Sequence, residues 1–296
     1  EELKRVGKSG DARVRIEHTE QVVQMHEAPA AAVRTKRKSS IAVAVDLVKR
    51  GQASAVYSAG STGAAVASTV LKLRTLPGIE RPAIATVFPS PAGKFLLLDA
   101  GATVDCKPRH LVQYAVMGEV YAREILGVPK PRIGLLNVGN EEGKGNELSK
   151  EVHRQMSGIE GFDYFGNIEG HDLFENRVDV VVCDGFVGNI VLKVCESLAK
   201  AISSFLKDLL GKNALRQAGA LLARGAFQDF RELSSAEQYG GAPLLGGQGV
   251  CIIGHGSSSS LAVRNAIRVA TESVEHHLTE VIVERLNHLG VASASG

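Results

Sequence analysis

The 296-residue chain carries 34 Lys and Arg against 32 Asp and Glu, a formal charge of +2 that leaves no overall electrostatic footprint for nucleic acid. Its 44% hydrophobic and 22% charged residues exclude a disordered chain, and no apolar stretch approaches the roughly 18 residues of a spanning helix. Glycine is abundant, 32 of 296 or about 11% against a usual share near 7%, so many turns or close ligand approaches are expected.

In chain order, residues 14–18 read as a short strand and 39–50 as a helix. The run 53–63 (ASAVYSAGSTG) is a strand ending in a Gly/Ser/Thr cluster, with a helix over 64–76. Pro77, Gly78, Pro82, Pro89 and Pro91 mark loops around a shorter segment at 83–88. Strands at 94–101 (KFLLLDAG) and 132–139 (RIGLLNVG) precede helices at 108–126 and 147–156. A strand at 164–168 and another in 179–189 (DVVVCDGFVGN) lead to a helix over 189–210, and 250–258 (VCIIGHGSS) feeds a helix over 259–289. Continuous apolar runs signify strands covered on both faces, so the fold class is α/β, a doubly wound and mostly parallel sheet.

Cys106, Cys183, Cys195 and Cys251 are scattered and read as reduced core residues of a cytosolic protein. The nine histidines contain no HExxH, and adjacent His276 and His277 point to different helix faces, so no metal site is expected. Residues 1–10 lack the apolar stretch of a secretory signal.

In open parallel sheets, ligands bind beyond the carboxyl ends of the strands, where helix N-termini expose amides. Gly60-Ser61-Thr62-Gly63 offers hydroxyls and mobile backbone there, suited to an anion such as phosphate, and His255-Gly256-Ser257-Ser258 repeats the arrangement. The alternative for each loop alone is that Ser61 or Ser259 caps its helix. The segment 137–147 (NVGNEEGKGNE) puts Lys144 between two glycines, where a cation can neutralise phosphate or polarise a carbonyl; a merely solvated lysine is the alternative. It is not a Walker A loop, because the spacing is short by one residue and Gly145 replaces the magnesium-holding hydroxyl. No GxGxxG follows a strand, so a dinucleotide site lacks its fingerprint. Asp99, Asp105 and Asp184 also stand at or just past strand ends, where each can cap a helix or orient donors.

Five segments taken in order, 58–64 (SAGSTGA), 97–102 (LLDAGA) with Asp105-Cys106-Lys107-Pro108, 134–148 (GLLNVGNEEGKGNEL), 184–189 (DGFVGN) and 255–258 (HGSS), closely resemble the bacterial PlsX family of acyl-ACP:phosphate acyltransferases. The resemblance spans nearly the whole chain. It implies one catalytic domain over 1–296 with a fold like isocitrate and isopropylmalate dehydrogenases and phosphate acetyltransferase, a homodimer, and no cofactor. It also implies a cytoplasmic protein loosely attached to the membrane, passing a fatty acyl group from acyl carrier protein to inorganic phosphate. The acyl phosphate would then serve a glycerol-3-phosphate acyltransferase in phospholipid synthesis. Nothing in residues 1–38 matches the Asp-Ala-Met-Gly-Gly-Asp loop that closes the family's first strand, so the sequence is expected to lack that strand. Ser61 stands where many relatives carry Asn, and Ser259 where many carry Asp.

On this reading Ser61, Thr62, Gly63, His255, Gly256, Ser257 and Ser258 cradle the phosphate. Lys144 and Asn146 steady the oxyanion, and Asp99, Asn137, Asp184 and Asn189 bind or orient at the same edge. His255 either protonates the departing thiolate or makes a structural hydrogen bond. No covalent acyl-enzyme is expected, since neither the cysteines nor the loop serines show a neighbouring base at a readable spacing in the sequence. An acyl-CoA donor and a catalytically impaired membrane-peripheral scaffold are the alternatives.

Within 200–235, apolar residues recur at helical intervals beside Lys207, Lys212, Arg216 and Arg224. The glycines at 211, 219 and 225 suggest two helices and a hinge. This projecting segment reads as a dimer or core helix, or as a surface that places Leu210, Leu215, Leu221 and Leu222 on anionic lipid.

Overall fold

The computed structural model describes all residues except 1, 6, 9, 92, 234–235 and 293–296. After a single turn, α1 (Glu2–Arg5), come α2 (Pro29–Thr35), α3 (Ser40–Lys49), β1 (Ala55–Ser58) and α4 (Thr62–Ser68), which continues as a wider helical turn over Thr69–Leu73. Next are β2 (Ala83–Ile84), β3 (Thr86–Ser90), β4 (Gly93–Leu98), α5 (Pro108–Glu124), β5 (Ile133–Leu136), α6 (Glu147–Ser157), β6 (Tyr164–Ile168) and β7 (Val180–Val182). The chain continues through α7 (Gly185–Leu210), α8 (Ala214–Leu222), α9 (Arg224–Leu233), β8 (Ala242–Leu245), β9 (Val250–Ile253), α10 (Ser260–Glu275) and α11 (Leu278–His288).

The α/β class holds, but the strands form two sheets. One runs β3-β4-β7-β5-β6 and is parallel apart from β3, which returns antiparallel along β4. The other runs β1-β9-β8-β2, with β1 and β9 parallel and the remaining pairs antiparallel. The shorter segment at 83–88 contributes to two strands, because the chain passes from one sheet to the other at Ala85, whose amide donates to the Pro243 carbonyl (2.9 Å).

Helix α5 is apolar on most of its circumference and is buried at every position from His110 to Ala122, as such a helix must be. It lies between the five-stranded sheet and helices α6 and α11. At Gly118 it approaches β7 so closely that a Cβ would stand 2.6 Å from Val180 Cγ1. Its polar members are paired: Gln113 Nε2 donates to the Gly78 carbonyl (2.7 Å), and Glu119 accepts two bonds from Arg285 (2.7 and 2.8 Å). The first turns of α7 cover the opposite face through Val187, Val191 and Leu192.

Several sequence expectations are corrected. Residues 14–18 are not a strand, and Val14 and Ile16 stay exposed, since alternation forms a strand only where a neighbour supplies the ladder. The helix expected over 259–289 breaks at left-handed His277 (φ 48°), and β8 is a strand that no local pattern signals. Between 185 and 233 there are three helices; Gly211 ends α7, whereas Gly219 and Gly225 lie inside α8 and α9.

Candidate active site

Two of the expected loops leave neighbouring parallel strands and lie side by side. The Gly254 amide donates to the Ser58 carbonyl (2.8 Å), and a Cβ on Gly256 would lie 3.7 Å from the Ala59 carbonyl oxygen. Ser61 Oγ accepts from the Ala64 amide (3.3 Å) and Ser259 Oγ from the Ala262 amide (3.2 Å), so both serines cap helices at this edge. The caps and the anion site are compatible, because capping fixes the helix ends whose remaining amides face outward. Thr62 is exposed, but the open side of Gly63 faces α2: a Cβ there would stand 2.5 Å from Pro29 Cγ. Gly63 thus serves helix packing as well as the loop.

In the second loop, His255 Nδ1 accepts from the Ser257 amide (3.2 Å) and lies 2.6 Å from the Ser257 hydroxyl. An acceptor at Nδ1 places the proton of the neutral ring on Nε2, on an exposed side chain. Ser258 Oγ accepts from the His255 amide (3.1 Å), which commits that hydroxyl to holding the turn.

Asp99, Asp184, Asn189, Asn137, Lys144 and Asn146 come from the carboxyl edge of the other sheet, after β4, β7 and β5. Asp99 is corrected as a substrate ligand. Its carboxylate is fully buried: Oδ1 accepts from the amides of Ile84 (2.8 Å), Gly101 (3.0 Å) and Ala102 (3.0 Å), and Oδ2 from Thr103 (2.7 Å). Burial pushes this carboxyl above its ordinary range and the four amides pull it back. With only donors around it, the ionised form is the one the pocket accommodates. Asp99 therefore shapes the loop and ties β4 to β2.

Asp184 Oδ1 caps α7 through the Val187 amide (2.9 Å). Gly185 and Gly188 let this helix end dock on the Asp99 loop; a Cβ on Gly185 would sit 2.5 Å from the Thr103 carbonyl oxygen, and one on Gly188 would collide with that of Asp99. Asn189 packs over Gly101, 3.4 Å from where its Cβ would lie. Ala100 and Ala102 share one apolar cluster with Ala65, Val66, Ile253 and Leu192, from α4, β9 and α7.

Lys144 is exposed, and among the described residues its ammonium has no hydrogen-bond or ion-pair partner. Its stem lies across Gly139, where a Cβ would stand 2.8 Å from Lys144 Cγ. Asn137 Nδ2 donates to the Lys144 carbonyl (3.2 Å) while its Oδ1 accepts from the Val138 amide (2.8 Å), so Asn137 braces the loop. Asn146 Oδ1 caps α6 through the Ser149 amide (2.9 Å). Asn167 of β6 was missed by sequence reasoning. It is buried and donates to the Glu141 carbonyl (3.1 Å), which also accepts from the Lys144 amide (3.0 Å). Only the β5–β6 pairing brings it there, and no local pattern signals it. No hydrogen bond joins Lys144 to His255 or Ser61 among the described residues.

The cysteines are poor nucleophiles. Burial lifts Cys106 and Cys251 to about 11 and also raises Cys183 and Cys195. Among the described residues no cluster of three His, Cys, Asp or Glu can hold a metal, and no helix is long and apolar enough to cross a membrane. Leu215, Leu221 and Leu222 are exposed, whereas Leu210 is half-buried. A cleft of about 630 Å³ lined by Glu80, Lys107, Arg109 and Glu151 takes no lining residue from the site loops.

Among solved structures, a phosphotransacetylase from Streptococcus pyogenes has a similar fold (TM-score 0.56, 16% identity, 83% of this chain and 70% of that one). So does the EutD phosphotransacetylase from Staphylococcus aureus (TM-score 0.54, 14% identity, 93% and 84%). The chain is 50% identical over 273 residues to the phosphate acyltransferase of Geotalea uraniireducens, covering 92% of this chain and 79% of the relative. Over 283 residues it is 50% identical to the phosphate acyltransferase of Pelotomaculum thermopropionicum, covering 96% and 82%. Residues 2–281 match the family of the fatty acid synthesis protein, so the chain belongs to that family, the PlsX phosphate acyltransferases.

Proposed function

We propose that this enzyme transfers the acyl group of an acyl carrier protein thioester to inorganic phosphate. A phosphate oxygen attacks the thioester carbonyl, the C–S bond breaks, and the proton carried by hydrogen phosphate ends on the departing thiolate. Acyl phosphate and the free carrier thiol are the products. The observation that carries the reading is the pair of Ser/Gly loops, 58–63 and 254–259, held side by side at two helix N-termini in a member of a phosphate acyltransferase family.

Phosphate dianion needs little general-base help, so the work of the site is electrostatic. The amides and hydroxyls of Ser61, Thr62, Ser257 and Gly256 hold the nucleophile, and the His255 Nε2–H donates a hydrogen bond to the leaving sulfur as the phosphate proton reaches it. Lys144 answers the oxyanion. Its lack of a partner supports this role, since an ion-paired lysine would have to break that pair first. The raised thiol pKa values support direct transfer without an acyl-cysteine. The acyl phosphate then supplies a glycerol-3-phosphate acyltransferase in phospholipid synthesis.

The same reading assigns the exposed stripe of α7, Ile190, Val194, Leu198, Ile202 and Leu209, to a homodimer contact. Leu215, Leu221 and Leu222 of α8 rest on anionic lipid, which makes the enzyme a cytoplasmic protein at the membrane surface. The decisive experiment is thiol release from acyl carrier protein thioester with and without phosphate, alongside acyl-CoA. Phosphate-dependent release that falls by orders of magnitude in Lys144→Ala, with unchanged circular dichroism, is expected. Phosphate-independent release would refute the reaction, and near-normal turnover of the variant would remove Lys144 from it.

A further inference from the structure

A basic cluster lies beside the phosphate loops and takes no part in the chemistry above. The stretch 34–38 (RTKRK) holds four cations in five residues. Lys36 is neutralised by Glu27, 2.7 Å away. Arg34, Arg37 and Lys38 are exposed, and among the described residues none of them has an ion-pair partner.

Topology puts these three at the edge where the site lies. Pro29, which opens α2, packs on Gly63 at the first turn of α4. Lys38 immediately precedes Ser39, the N-cap of α3, and α3 packs along β1 after a short connecting turn, so its start lies at the end of β1 from which the Ser61 loop leaves. The basic segment thus spans the last turn of α2, whose first residue packs on Gly63, and the start of α3 at the β1 edge. The cations are also held in shape: the Lys38 amide donates to Gln21 Oε1 (3.1 Å) and the Ser40 amide to the Gln21 carbonyl (3.2 Å).

We propose that Arg34, Arg37 and Lys38 form a docking face for an acidic carrier protein that presents its acyl thioester to the Ser61 and His255 loops. This rests on the carrier-thioester reading above. Charge complementarity selects the occupant. A chain of net charge +2 has no general attraction for anions, whereas this face concentrates three unpaired cations at the mouth of the site. A nucleotide-bearing donor fits less well, because residues 29–40 contain no aromatic side chain to meet a base. A lipid surface also fits less well, because Val33, the bulkiest apolar residue of α2, is buried.

The test is the triple variant Arg34→Glu, Arg37→Glu, Lys38→Glu, with the Gln triple variant as a milder partner, both checked for an unchanged melting temperature. Initial rates are measured with acyl carrier protein thioester, acyl-CoA and uncharged acyl-pantetheine, at about 50 and 200 mM salt. Expected for the carrier thioester is a fall in kcat/KM of about tenfold or more at low salt, smaller at high salt and intermediate for the Gln variant, with kcat within about twofold. Acyl-pantetheine rates should not move. If the wild type turns over carrier thioester and the variants match it, the docking face is wrong and the donor reading stands. If the wild type ignores carrier thioester and uses acyl-CoA, the donor reading fails and the docking face with it. An equal fall for acyl-CoA, or lost binding to phosphatidylglycerol vesicles with carrier kinetics intact, would reassign the cluster and overturn the proposal.

Discussion

Replacing Asp99 with Asn changes one atom and tests whether this carboxylate organises the junction of the two sheets. The Asn oxygen can keep the amides of Ile84, Gly101 and Ala102, but the NH2 group then faces the Thr103 amide, donor against donor. The orphaned Thr103 amide costs about 1–3 kcal/mol, and weakening three charge-assisted bonds to neutral ones costs about 1–3 kcal/mol more. Removing a fully buried charge returns part of its desolvation cost, which leaves a net loss of about 2–4 kcal/mol. For a chain of this size that lowers Tm by about 5–10 °C. Calorimetry measures the shift, and amide hydrogen exchange should show Gly101 to Thr103 opening first. A Tm within about 1 °C of wild type, with unchanged exchange at these amides, would refute the assignment.

Other expectations follow from the same geometry. Iodoacetamide at pH 7.5 should leave all four cysteines largely unmodified in the native protein without loss of turnover, because thiols raised by burial carry little thiolate; rapid inactivation through Cys106 would contradict this. Desolvation lowers the His110 pKa, opposed by Glu80, so the unfolded chain, titrating near 6.5, binds more protons there than the native one. Stability from neutral His110 is complete above about 6.5 and is lost as pH falls below it. Thermal scans from pH 7.5 to 5 should therefore show wild type losing more Tm than His110→Gln, and parallel curves would count against it. On the proposed homodimer contact, the wild type should sediment as a dimer and the Leu198→Glu, Ile202→Glu variant as a folded monomer; equal sedimentation coefficients for the two would discard the α7 contact.

The elements legible in the sequence are those made by interactions between near neighbours. The caps at Ser61, Asp184 and Ser259 bond amides three residues ahead, so an oxygen-bearing side chain before a helical run is sufficient signal. The apolar runs of β4, β5, β7 and β9 announce buried strands for the same reason. Residues 14–18 show the limit, because their alternation is strand-like and no partner strand pairs with them. Strand β8 shows the converse: it contains Pro243 and is a strand because Ile252 and the segment at Ala85 flank it.

The site divides along the same line. Composition and spacing by themselves determined that hydroxyls, amides and one lysine stand at strand ends, since helix starts and strand ends are written in local periodicity. Only the tertiary structure decided that two of those ends adjoin, that Lys144 is braced by Asn167 from the next strand, and that Asp99 is a buried tie with no face for a ligand. Each of these depends on donors and acceptors brought together by sheet pairing across long stretches of chain, and sequence periodicity carries no information about which distant amide a side chain will meet.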